Sequence, residues 1–148
     1  MRVLIQKVNS AKVIVDKKIV GDIENGILIY VGFSSDFNED KLNWIVNKIL
    51  SLKIFEDDKN ENRWDRNILD IKGEILVISN FTLFGGVKSG TKINFNKAQK
   101  PDIAKENYNK FIDILKEKSN LKVKSGIFGA RMLVDANVIG PFNLILDK

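Results

Sequence analysis

The sequence predicts an α/β domain with largely antiparallel sheets. Short β-branched and aromatic runs recur along the chain, helical periodicity is confined to two stretches, and no repeat or linker interrupts the 148 residues. That length suits one domain, residues 1–148, with a real core.

The elements follow in order. Residues 2–8, RVLIQKV, are an apolar run suited to a buried strand. Residues 11–15 and 18–23 flank Asp16-Lys17 and read as a hairpin. GILIYVGF, residues 26–33, has the composition of a central strand. The period then changes. Leu42, Ile45, Val46, Ile49 and Leu50 share one helical face over residues 38–52, with Asp36 or Asn38 as the cap. Residues 56–66, EDDKNENRWDR, are expected to be a solvated polar loop. They are not a calcium loop: Arg63 stands where the turn glycine belongs and Leu69 where the bidentate glutamate belongs. A strand follows at 74–80, and Pro101 opens a second helix to about residue 118. Tyr108, Phe111, Ile112 and Leu115 line its buried face. Strands are expected at 121–125, 131–137 and 142–147.

Composition removes whole classes of chemistry. There is no cysteine and no histidine. Disulfides, Ser-His-Asp and Cys-His nucleophiles, and the usual zinc and non-haem iron sites therefore have no residues to build them. The opening MRVLIQKVNSAKV is unlike a signal peptide, and no apolar run approaches the length of a membrane span, so a cytoplasmic protein is expected. The net charge of +5, 24 Lys and Arg against 19 Asp and Glu, fits a polyanionic partner such as RNA. It equally fits lysines that only solvate the surface.

Two stretches stand out. The first is SNFTLFGGVKSGTKINF, residues 79–95, where a strand runs into a Gly-rich, Lys-bearing loop. It is not a nucleoside-triphosphate loop, because Thr91 precedes Lys92, and Ile93 follows it. Gly85, Gly86 and Gly90 nevertheless let backbone approach a ligand, and Lys88 and Lys92 suit phosphate. Ser79, Asn80 and Thr82 add hydroxyl and amide groups at the strand end, where turn chemistry would place them too. The second stretch is Gly140-Pro141, which interrupts an apolar terminal strand although proline cannot donate to a sheet ladder.

Together these stretches resemble the D-aminoacyl-tRNA deacylases, first named D-tyrosyl-tRNA deacylases. Ser79-Asn80-Phe81-Thr82-Leu83, followed by Gly90 and Phe95, is similar to their Ser-Gln-Phe-Thr-Leu segment. Gly140-Pro141 resembles their Asn-x-Gly-Pro-Val-Thr signature. MRVLIQKV, ILSLKIFEDD and Phe128-Gly129-Ala130 with Met132 look like flanking family segments in the same order. Asn80 replaces the motif glutamine, Val138 and Ile139 precede Gly140, Phe142 and Asn143 stand for Val-Thr, and Ile93 replaces a proline.

The resemblance implies a three-layer architecture, two mostly antiparallel, barrel-like β layers with two helices packed on one side. It implies hydrolysis of the ester between a D-amino acid and the 3′-terminal ribose of tRNA, without cofactor or metal. Ser79, Asn80, Phe81 and Thr82 would form the catalytic segment, and Lys88, Gly90, Lys92 and Phe95 would meet tRNA. Gly140-Pro141 would be cis and cross a homodimer interface into the partner's site. Its carbonyl oxygens there hold the substrate amino group and leave no room for an L side chain. With no histidine, two routes remain: Thr82 as nucleophile, or Thr82 orienting the substrate while backbone N–H groups around residues 80–83 hold the oxyanion. The second is preferred, because a hydroxyl without a neighbouring base is a weak nucleophile. The alternatives are a deacylase of glycyl- or L-aminoacyl-tRNA and a non-catalytic RNA-binding homologue.

Overall fold

The computed structural model describes residues 1–87 and 90–148. β1 is one continuous strand, Arg2–Val15, where the sequence suggested two. Its inner side alternates burial along nearly its whole length, so one strand serves two neighbours in turn. Arg2 to Val8 pair with β3 (Gly26–Gly32), and Ala11 to Val15 pair with β2 (Lys18–Ile23). The β1–β2 turn places Asp16 and Lys17 at φ 48° and 65°, the backbone that a tight two-residue hairpin requires. On its other side β1 pairs with β8, Leu133–Asp147, again one long strand instead of two.

The antiparallel ladder gives way to parallel pairing at β3–β6 (Glu74–Ser79) and β6–β7 (Val123–Ser125). Parallel neighbours need crossovers, and the two helices supply them. Helix α1, Glu39–Ser51, is capped by Asn38, whose Oδ1 accepts from Lys41 N at 3.2 Å. Helix α2, Pro101–Ser119, begins with proline at its first turn and ends on Asn120 in the left-handed region. Both helices bury their apolar faces on one side of the sheet, with Tyr108, Phe111, Ile45 and Ile49 against Val3, Ile5 and Ile29. The sheet then curls, and Val8, Val13 and Ile23 meet Leu28, Leu76 and Ile78 in a second core. Two cores separate three layers, as the family resemblance implied.

Residues 56–66 depart from expectation. They are not an irregular loop but most of a hairpin, β4 (Phe55–Asp57) with β5 (Asn60–Arg66). Charge density hid the strands. Ion pairs tie the hairpin together and anchor its ends, with Arg66 paired to Asp58 and Lys53 to Asp65.

Candidate active site

Strand β6 ends at Ser79, opposite Val31. Asn80 N then donates to Val31 O at 2.7 Å and stops the strand. Phe81–Phe84 follow as a single 3-10 turn, η1. Asn80 caps it: its Oδ1 accepts from Thr82 N at 3.1 Å and from Thr82 Oγ1 at 2.6 Å. Glycine at position 32 lets the turn sit close on β3. A Cβ there would lie 2.8 Å from Asn80 O and 3.2 Å from the Phe84 ring. Arg2 braces the far end. It donates to Leu83 O at 2.9 Å, lies 5.5 Å from the Phe84 ring centre, and grips Asp147 through two bonds of 2.7 and 3.1 Å. That grip holds the Asp147 carboxyl below its ordinary pKa.

The turn has a definite chemistry. Thr82 is exposed, and its hydroxyl proton points at an amide oxygen, which is no base at neutral pH. Its oxygen can still accept a hydrogen bond. The expected set of backbone donors shrinks. Asn80 N is taken by Val31 O, Thr82 N by the Asn80 side chain and Leu83 N by Asn80 O. Among the described residues only Phe81 N, of the four from 80 to 83, has no partner. The cap and the 3-10 bond consume the donors of Thr82 and Leu83, and β3 takes that of Asn80.

The loop after η1 folds back on itself. Gly86 and Asn94 exchange two backbone bonds of 2.9 Å, and Phe95 packs edge-on against exposed Phe81 at 4.9 Å between ring centres. Gly90 and Lys92 are exposed on this loop, and Lys88 lies outside the described residues. Ser79, Asn80, Phe81, Thr82 and Phe95 thus lie together at the end of β6, and Lys92 is carried on the loop that Phe95 closes. Phe128 lies at the C-terminal end of β6, its ring 5.8 Å from that of Tyr108, whose hydroxyl donates to Val77 O at 2.8 Å. No group of three or more carboxylates is arranged for a metal among the described residues.

Gly140-Pro141 is elsewhere. The bond is cis, and Gly140 has φ 112°, a conformation that disfavours any side chain. The pair departs from the ladder opposite Lys7, while η1 is tied to Arg2. Those anchors are five residue steps apart along β1, about 17 Å. Among the described residues, no hydrogen bond or ring contact joins the two signature segments within one chain. Reading the sequence alone missed the cap role of Asn80, although Asn-x-Thr is an Asx-turn pattern. It also missed Arg2, whose position gives no local signal.

Fold and site together define a barrel-like α/β domain with an exposed, self-capped turn at a strand end. The family described as D-Tyr-tRNA(Tyr) deacylase matches residues 4–147. A D-aminoacyl-tRNA deacylase of Aquifex aeolicus (strain VF5) is 46% identical over 148 residues, covering all of this chain and 98% of the relative. One of Clostridium botulinum (strain Alaska E43 / Type E3) is 44% identical, covering 100% and 97%. The solved structure of a c-Myc DNA unwinding element binding protein superposes with TM-score 0.93 at 33% identity, over 100% of this chain and 99% of that one. A probable eukaryotic D-amino acid tRNA deacylase shares the fold, with TM-score 0.89 at 20% identity over 99% and 98%. The chain belongs to the D-Tyr-tRNA(Tyr) deacylase family.

Proposed function

We propose that this protein hydrolyses the ester of D-aminoacyl-tRNA in the cytoplasm, releasing the D-amino acid and tRNA. The observation that carries the mechanism is the free Phe81 N–H beside an exposed, Asn80-oriented Thr82 hydroxyl. Water attacks the ester carbonyl carbon. The developing oxyanion takes the Phe81 N–H, and Thr82 Oγ1 accepts from the substrate and orients it. The bond to the ribose oxygen breaks, and that oxygen leaves with a proton, with the vicinal ribose hydroxyl taking part. The ester is already activated, so no strong base is needed.

Chiral selection requires a second copy. Gly140-Pro141 of one subunit reaches the Ser79–Leu83 segment of its partner and excludes an L side chain by main-chain contact. Two features support a homodimer: the distance between the segments within one chain, and an apolar row at the open end of the second core. In that row Ile145, 58% exposed, pairs with Leu4, and Leu4 pairs with Tyr30.

Deacylation of the same amino acid in D and L form on one tRNA tests the reading. Fast release of the D form alone supports it. Release of L- or glycyl-tRNA would reassign the substrate, and tRNA binding without release would remove catalysis. Light scattering should give twice the 16.8 kDa of one chain. A monomer at working concentration would overturn the shared site.

A further inference from the structure

We propose that Trp64 is a positioning residue that sets the stereochemical selectivity of the site by buttressing Gly140-Pro141 through Phe142. The inference rests on the reading of Gly140-Pro141 as the selecting element.

The ladder between β1 and β8 shows why a buttress is needed. Gln6 faces Asn143 and Val8 faces Val138, so Lys7 alone opposes the four residues Ile139 to Phe142. The surplus residues bulge from the ladder, with a single partner residue opposite them. A selecting element must hold its position to a fraction of an ångström, so side chains have to supply what the ladder does not.

Two contacts do so. Gln6 Nε2 donates to Asn143 Oδ1 at 2.7 Å on the C-terminal side. The Phe142 ring stands edge-on to Trp64, with centres 5.4 Å apart and planes at 76°. Aromatic pairs favour this geometry.

Trp64 is itself anchored from below. It lies opposite Glu56 across the β4–β5 hairpin, so both side chains share a face. Between them and the sheet sits the Lys7 ammonium, whose side chain is only 3% exposed. It bonds the Glu56 carboxylate at 2.5 Å and lies 5.4 Å from the Phe55 ring and 5.7 Å from the Trp64 ring. The residue directly under the projection thus fastens the hairpin that supports the projection from the side. Trp64 is 53% exposed and is no part of either core, so burial alone does not account for an indole there.

The test is a double-mutant cycle on selectivity. Trp64→Ala, Trp64→Phe, Phe142→Ala and the double alanine variant are compared with wild type for kcat/KM on matched D- and L-aminoacyl-tRNA. Binding of uncharged tRNA and the melting temperature are measured alongside. Trp64→Ala should lower the D-over-L ratio about three- to tenfold, the worth of one aromatic pair, with tRNA binding unchanged. Phe142→Ala should do the same, the double variant should lose no more than either single one, and Trp64→Phe should restore most of the ratio. An unchanged ratio in Trp64→Ala, or additive losses in the double variant, would overturn the proposal while a D-selective wild type kept the underlying reading. A wild type that does not prefer the D form would sink that reading and this proposal with it. Equal falls on both substrates with a lowered melting temperature would make Trp64 merely structural and overturn its positioning role.

Discussion

The Thr82 hydroxyl donates its proton to Asn80 Oδ1 at 2.6 Å, so the two side chains of the self-capped turn define each other's roles. Asn80 cannot take a proton from Thr82, and Thr82 cannot become an alkoxide without losing its partner. Thr82→Ala should slow single-turnover deacylation about 10- to 100-fold, the worth of one orienting hydrogen bond to a charged or reacting group, without abolishing it. Asn80→Ala should also weaken the turn by about 1 kcal/mol. Trapping an acyl group on Thr82 in quenched reactions would restore the nucleophile and refute the orienting role.

Phe81 offers a sharper probe, because its backbone donor can be deleted. It is the first residue of η1, where proline fits, and Asn80 before it is extended at φ −147°. Phe81→Ala removes the ring and keeps the N–H. Phe81→Pro removes both. The proline variant should lose a further 10²- to 10³-fold in kcat, about what one oxyanion donor is worth. Equal rates for the two variants would take the oxyanion away from residue 81.

Lys92 is exposed on the loop beside Phe81 and Phe95. Replacing Lys88 and Lys92 with alanine should weaken tRNA binding. The slope of log K against log salt should flatten by about 0.7–0.9 for each phosphate that is no longer neutralised. An unchanged slope in a salt titration would return both lysines to the general surface.

The Lys7–Glu56 pair controls stability. Glu56→Gln leaves a buried ammonium without its charge partner and should cost about 1–3 kcal/mol in urea unfolding at neutral pH. The Lys7 bond holds the Glu56 carboxyl below its ordinary 4.5. A carboxyl depressed on folding adds stability above its unfolded pKa and loses it as pH falls through the folded one. Wild type should therefore lose this increment only below about pH 4.5, and Glu56→Gln should lack that part of the acid slope. Parallel pH profiles would contradict the assignment.

The sequence by itself determined the helices, most strands and both signature segments. Their signals are local: helical spacing of Leu42, Ile45 and Ile49, Pro101 at a helix start, and Gly140-Pro141 inside an apolar strand. Even the Asn80 cap is written in an Asn-x-Thr pattern. Residues 56–66 were illegible because charge suppresses the apolar alternation that marks a strand, and cross-hairpin ion pairs become visible only once the strands are paired. The continuity of β1 and β8 was equally hidden, since each changes neighbours or leaves the ladder midway. Only the tertiary structure decided that Arg2 braces η1, that Lys7 stands alone under the four residues 139–142, and that Trp64 meets Phe142. Each joins residues tens of positions apart, and such pairings arise from strand register and sheet curvature, which no local stretch encodes.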